Sequence, residues 1–276
     1  MAFYNGSRIN TNIGALNAFN ALTNINAKIG TVQMRLASGK RINSAADDPA
    51  GYTIGKKLEG RSRSLTQALN NVGELKNILS IAEGGLQSIN DIYVGIKEKV
   101  IQAGNGSYGA NELAAIVTQV NDMLDEVDDI ISETKFNGTA LLNAQFTSKT
   151  FQTGADSGDS LSVSLSATID SADFNLSSIT SANVGSSTTL SSLDTAINRV
   201  STELQNVGSL MSRLDVKEQT LSTSITNTEA AMSRIMDADI AKEQLELTKL
   251  QILQQTSTVQ LAQANAAPQG VLSLFR

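Results

Sequence analysis

Residues 49–100, PAGYTIGKKLEGRSRSLTQALNNVGELKNILSIAEGGLQSINDIYVGIKEKV, decide the fold. Leu58, Leu65, Val72, Leu75, Leu79, Ala82, Leu86, Ile89, Tyr93, Ile96 and Val100 fall on one row of three- and four-residue steps, with Leu69 beside it and Arg61 as its polar member. A narrow apolar stripe kept up for about six heptads is what a helix needs to pack lengthwise against another. Such a helix would be on the order of 70 Å long. It opens at Asp47-Asp48-Pro49, where Asp48 can cap the free amides and Pro49 stands where a missing N–H costs nothing. The chain has only one other proline, Pro268, so long helices are permitted throughout.

AGNGSYG at 103–109 ends this helix. An amphipathic segment with Leu113, Val117, Val120, Leu124, Val127 and Ile131 follows, of a length that suits an antiparallel partner. Residues 146–189 differ in kind: Ser and Thr dominate, and SLSVSLSATI alternates Leu161, Val163, Leu165, Ala167 and Ile169 at period two. With QFTSKTF before the turn residues GADSGD, the stretch reads as a small hairpin. Helical spacing returns in Leu190, Leu193, Ile197, Val200, Leu204, Val207, Met211, Leu214, Leu221, Ile225, Met232 and Ile235, with Glu218 and Thr228 at polar register positions. Its match in period with 49–100 pairs the two halves of the chain.

The ends carry two further helices. One row runs Ile9, Ile13, Leu16, Phe19, Leu22, Ile25, Ile29, Val32 and Leu36 in a segment rich in Asn and Thr, weak helix formers. The other segment, about 240–264, spreads Leu245, Leu247, Leu250, Ile252, Leu253, Val259 and Leu261 around much of the helix. A helix apolar on more than one face wants more than one neighbour, which predicts self-association. The fold class is therefore mainly α, an elongated antiparallel helical bundle or coiled coil of the N- and C-terminal segments with a small central β-hairpin region.

Composition excludes much chemistry. The chain has no His and no Cys, which removes imidazole catalysis, thiol nucleophiles, disulfides and the usual zinc ligands. Aromatics are 4% and Trp is absent, so the apolar content is Ala, Leu, Ile and Val, suited to thin seams. A net charge of −6 leaves no basic footprint for nucleic acid or anionic lipid, and no segment has the length and apolarity of a membrane span. MAFYNGSRINTN lacks an apolar signal core, so any export is expected to proceed without a cleaved signal peptide.

Five ordered motifs carry a resemblance: SRINTN at 7–12, LASGKRINSAADDPAGYTIG at 36–55, KFNGTALLN at 135–143, SRIMDADIAKE at 233–243 and ANAAPQGVLSLFR at 264–276. In these the chain resembles bacterial flagellins. The resemblance implies an extracellular, exported subunit of a helical filament used for swimming, made of many copies of one chain. Segments 1–44 and 237–276 would then form the filament's inner tube, 45–145 and 190–236 a surrounding helical layer, and 146–189 a variable surface. Self-assembly would fall to Ile9, Ile13, Leu16, Phe19, Leu22, Ile25 and Ile29 at one end, and to Leu245, Leu250, Leu253, Leu261, Leu272 and Phe275 at the other. Implied partners are hook-associated and capping proteins, and an export chaperone on the C-terminal helix. No cofactor, nucleic acid or membrane insertion is implied. Many members also carry an Arg-x-Arg-Glu-Leu stretch that animal toll-like receptors recognise. Here Gly95, Ile96, Lys97, Glu98 and Lys99 stand in its place, so receptor activation is expected to be poor.

Other motifs have plainer readings. Gly104, Gly106 and Gly109 spell the dinucleotide fingerprint but follow a helix where that site needs a strand. Asp122, Asp125, Glu126, Asp128 and Asp129 lack calcium-loop spacing and read as a solvated helix face. SGK at 38–40 has no Walker glycine before it, and Gly39 with Lys40 and Arg41 reads as a hinge. Asn5, Asn105, Asn137 and Asn175 each begin an N-x-Ser/Thr triplet, common by chance. Among other classes, a zinc protease grafted into the variable region fails for want of histidine, and an adhesin would need a larger middle. A hook-filament junction protein shares the paired-helix plan, but SRIMDADIAKE and VLSLFR favour the filament subunit itself.

Overall fold

The side chain of Asp48 makes the cap its position implied, its Oδ1 accepting the Gly51 amide at 3.0 Å. Just before it, Asp47 accepts from the amides of Ser44 and Asn43 and from the Ser44 hydroxyl, which holds its carboxyl below the usual range. The computed structural model describes residues 11–143, 146–165, 169–176 and 179–273, and of 267–273 the backbone alone. In chain order the elements are α1 (Ile13–Ser38), α2 (Pro49–Ala103), α3 (Ala110–Glu133), β1 (Lys135–Phe136), β2 (Thr139–Ala140), β3 (Phe146–Gln152), β4 (Ser160–Leu165), α4 (Ser187–Met236) and α5 (Ile240–Ser273). The chain is mainly helical with small central hairpins, as its periodicities implied. Chain contacts divide it into two units, 61–226 and 1–60 with 227–276.

In the unit formed by 61–226, the α2 row from Leu65 to Val100 is buried at every step, and Ala68 fills the place between Leu65 and Val72. At the start of this stretch the row passes through Ser62, which is buried, while Arg61 stands exposed and reaches Asp156 at 3.5 Å. Opposing α2, α3 contributes Ile116, Val120, Leu124, Val127 and Ile131. The two run antiparallel: a Cβ on Gly95 would lie 3.0 Å from Met123, and one on Gly85 2.8 Å from Thr134. Helix α4 adds Leu193, Ala196, Val200, Val207, Leu214 and Leu221 to the same core. It too is antiparallel to α2, since Lys97 pairs with Asp194 at 2.6 Å while Lys76 pairs with Asp215 at 2.7 Å and Glu218 at 2.8 Å. These solvent-screened ion pairs contribute little, so the apolar seam holds the helices and the pairs set register.

The hairpins close this core. β1 and β2 pair Phe136 with Thr139 around Asn137 and Gly138, whose φ values of 48° and 79° are those of a primed hairpin turn. This hairpin was missed in KFNGTALLN although Asn-Gly announces it. β3 and β4 form the expected antiparallel hairpin, with an irregularity between Phe146 and Lys149 where Ser148 takes a φ of 51°. Phe146, Val163 and Leu165 are buried; Ala167 lies outside the described residues. Residues 169–176 then strap across α2 and α3. Buried Tyr93 donates its hydroxyl to the Ile169 carbonyl at 2.8 Å, Phe174 meets the Tyr93 ring edge-on at 6.2 Å, and Asp128 accepts from the Ser171 amide and hydroxyl.

In the other unit, α1 ends at Gly39, whose left-handed φ of 69° suits glycine and caps the helix. The strand-like stretch after it pairs with the turn between α4 and α5. Arg41 donates its amide to Met236 at 2.7 Å, Ala238 donates to Gly39 at 2.9 Å, and the Arg41 guanidinium donates to Ile235 at 2.7 Å. Ile42 is buried beside this joint, and Gly55 lies so close to Met236 that any Cβ would collide. α5 continues beyond the expected end near Ala264 to Ser273, passing Pro268 with one backbone donor missing.

Candidate assembly surface

α1 and α5 lie antiparallel along one another, and three polar contacts mark the seam. Asn12 donates its side-chain amide to the Ala264 carbonyl at 2.6 Å, Gln254 donates to Asn26 at 2.7 Å, and Arg35 meets Glu243 at 3.5 Å. The half-buried and buried positions of α1 and its N-cap are Asn12, Ala15, Ala18, Leu22, Ile25, Ile29, Val32, Arg35 and Leu36. Those of α5 are Glu243, Glu246, Leu247, Leu250, Gln254, Ser257, Leu261 and Ala264. Small and polar side chains therefore occupy much of the seam, and several of the largest apolar ones stand outside it.

This arrangement splits the residues expected to drive assembly. Ile13, Leu16 and Phe19 are exposed, Phe19 by 55%. Leu22, Ile25 and Ile29 are half-buried on the row that leads to buried Val32, so their apolar area is largely spent within the chain. On α5, Leu245 is 73% exposed and Leu253 is exposed as well. Leu250, also expected in self-assembly, sits at 4% exposure in the intrachain seam, and Leu261 on the same row is half-buried. Ile9 and Phe275 lie outside the described residues, as does the side chain of Leu272.

The structure adds Met34, Ile240, Ile252 and Val259 to the outer surface, all exposed. Spacing could have found most of them. Met34 follows Leu16 by five turns at about 3.6 residues each, so the two point the same way. Leu245, Ile252 and Val259 repeat at heptad spacing, one stripe on a helix whose other stripe faces α1.

The remaining candidates have structural roles. Gly104, Gly106 and Gly109 form the connection between α2 and α3. Among the described residues no grouping of carboxylates is fit to hold a metal ion, and no helix is long and apolar enough to cross a membrane. Gly95 and Lys99 are half-buried, Glu98 is exposed, and Lys97 is engaged with Asp194.

Known proteins match this architecture. Residues 9–147 match the bacterial flagellin N-terminal helical region and residues 190–275 the C-terminal helical region. Flagellin FlaB1 of Treponema pallidum is 33% identical over 97% of this chain and 99% of its own. A flagellin of Bacillus subtilis is 36% identical over 98% of this chain and 100% of its own. A flagellin of Xenorhabdus nematophila is 38% identical, but the match takes in 58% of this chain and only 51% of that longer one. A putative flagellar hook-associated protein from Vibrio parahaemolyticus shares the fold with a TM-score of 0.60 at 15% identity, over 69% of this chain and 100% of that one. Matches to both helical regions, and to two short relatives along nearly their whole length, place the chain in the bacterial flagellin family, structural subunits of the flagellar filament and not enzymes.

Proposed function

We propose that many copies of this chain assemble through the outer faces of α1 and α5 into an open helical filament. The single observation that carries the reading is the set of large apolar side chains that the terminal pair leaves outside its own seam. Leu245, Ile252, Val259, Leu16 and Phe19 face outward while alanines, serine and amides share the seam with Leu22, Ile25, Ile29, Val32 and Leu250. Large apolar side chains left outside in that number are buried by neighbouring copies, and a head-to-tail lattice that does not close supplies those neighbours. In this reading 1–44 and 237–276 line the inner tube, 45–145 and 190–236 form the layer around it, and 146–189 is the outer surface. Hook-associated and capping proteins bound the filament in its extracellular location, and an export chaperone shields the C-terminal helix before export.

The receptor stretch is proposed to be a poor ligand for animal toll-like receptors. Gly95 is turned toward Met123 on α3, and the Lys97 ammonium is held by Asp194, so neither presents a free guanidinium to a partner. A reporter-cell response equal to that of a strongly activating flagellin would refute this.

Negative-stain electron microscopy of the chain with short filament seeds tests the assembly reading, set beside a chain lacking 1–40 and 240–276. Filaments from the full chain alone are expected. No filaments, or equal ones from both, would overturn it.

A further inference from the structure

Two Asn-Gly pairs lie among the described residues, and the fold treats them oppositely. Asn105 and Gly106 sit exposed in the connection between α2 and α3. The Asn105 side-chain oxygen accepts a hydrogen bond from the Ser107 amide at 3.3 Å. That bond draws the side-chain carbonyl along the chain that follows it, on the side of the Gly106 nitrogen, and polarises it toward nucleophilic attack. The Gly106 amide has no acceptor among the described residues, and nothing lies within 4 Å of where its Cβ would be. Asn137 and Gly138 instead form the primed turn of the β1–β2 hairpin, both at positive φ and closed by the Phe136–Thr139 pair.

We propose that Asn105 is a site of spontaneous self-modification, forming a succinimide and then aspartate or isoaspartate, while Asn137 is protected by its turn. Hydroxide removes the Gly106 amide proton, and the nitrogen attacks Cγ of Asn105. The new N–Cγ bond forms, the Cγ–Nδ2 bond breaks, and Nδ2 takes a proton from water and leaves as ammonia. Water then opens the ring at either carbonyl, giving aspartate or, with the backbone routed through the side chain, isoaspartate. The net change is one amide and one water converted to one carboxylic acid and one ammonia, with no oxidant or reductant. At Asn137 the left-handed backbone of both residues must be undone before the Gly138 nitrogen can approach Cγ, and that means opening the hairpin. The product at Asn105 places a negative charge just beyond the last turn of α2, where the backbone carbonyls are already the negative pole.

The test incubates the full chain at mildly alkaline pH, digests samples with trypsin and follows two peptides by tandem mass spectrometry, 100–135 for Asn105 and 136–149 for Asn137. Parallel samples are held unfolded in urea. In the folded chain Asn105 is expected to convert at least roughly tenfold faster than Asn137, a gap of one decade in rate that urea should close. Gly106→Val crowds the attacking nitrogen at a position with open space and no left-handed backbone, so it should fold as the parent does by circular dichroism and lose the Asn105 product. Equal rates in the folded chain, faster loss of Asn137, an Asn105 that persists while the unfolded sample converts, or an unchanged rate in folded Gly106→Val would each overturn the proposal.

Discussion

Truncating Leu245 to alanine separates assembly from folding. The side chain keeps 73% of its surface open in the single chain, so its loss removes little that the monomer uses. Leu and Ala are both strong helix formers, and α5 should retain its helicity. The substitution deletes three carbon atoms, worth about 0.8 kcal/mol each when moved from water to a buried site. Taking only the fraction still open in the monomer leaves about 1.7 kcal/mol for burial between copies. At about 1.4 kcal/mol per decade, the critical concentration for seeded growth should rise roughly twentyfold. The assay measures soluble protein remaining above pelleted filaments after seeding, with urea unfolding of the monomer alongside. Leu250→Ala, in the α1·α5 seam at 4% exposure, should instead lower the helicity of the single chain. Leu245→Ala growing at the parent's critical concentration would refute the outward role of that stripe, and a fall in its urea midpoint would show that the residue serves the fold instead.

Other perturbations probe the scaffold. Tyr93→Phe strands the Ile169 carbonyl that its hydroxyl serves at 2.8 Å and should cost about 1–2 kcal/mol in urea unfolding. The Asp170 carboxyl is held above its ordinary value, first by burial and then by Asp173 and Asp128 nearby. The folded chain therefore binds that proton more tightly than the unfolded one, so its contribution to stability is present in acid and lost as pH rises through the folded value. Asp170→Asn keeps the oxygen that accepts the Asp173 amide at 2.9 Å, and should raise the urea midpoint at neutral pH by an amount that shrinks as pH falls toward about 4. Asp48→Ala removes the cap on Gly51 and should cost about 1 kcal/mol, read as a lower thermal midpoint with earlier loss of helical dichroism.

Periodicity in the sequence located the five helices closely because large apolar residues repeat in all of them, and it failed where a seam is built from something else. Arg61 was assigned to the α2 row although Ser62 occupies it, since a count of three- and four-residue steps cannot distinguish neighbours when neither is apolar. Ala68 went unremarked because alanine is common on every face of a helix. The α5 seam sets Glu243, Gln254 and Ser257 among Leu247, Leu250 and Leu261, so its apolar row is broken and does not stand apart from the outward leucines with which Leu250 was grouped. The short β1–β2 hairpin was overlooked for the opposite reason: its signal is chemical, an Asn-Gly pair whose left-handed turn needs no long alternating strands to announce it.

Most telling is the offset at the start of α1. The apolar row Ile13, Leu16, Phe19 was read as continuing into Leu22, Ile25 and Ile29, yet the buried row reaches Leu22 through Ala15 and Ala18. One residue along a helix is about 100° of rotation, enough to exchange inside for outside. Had Leu16 and Phe19 packed against α5, the pair would be more stable alone by their burial, about 1.5–3 kcal/mol for each side chain. The surface left behind would then be alanine, asparagine and threonine, with little to drive association. Ala15 and Ala18 at the start of the seam spend little apolar area, and Leu16 and Phe19 beside them stay exposed. The core of 61–226 follows the opposite rule, with Leu75, Leu79, Leu86, Ile89, Tyr93 and Ile96 fully enclosed. The terminal pair, by contrast, keeps a second set of apolar side chains outside its own seam. On the proposed assembly, polymerisation would complete the burial of the ends, and the offset of one residue in α1 is what leaves Leu16 and Phe19 free for it.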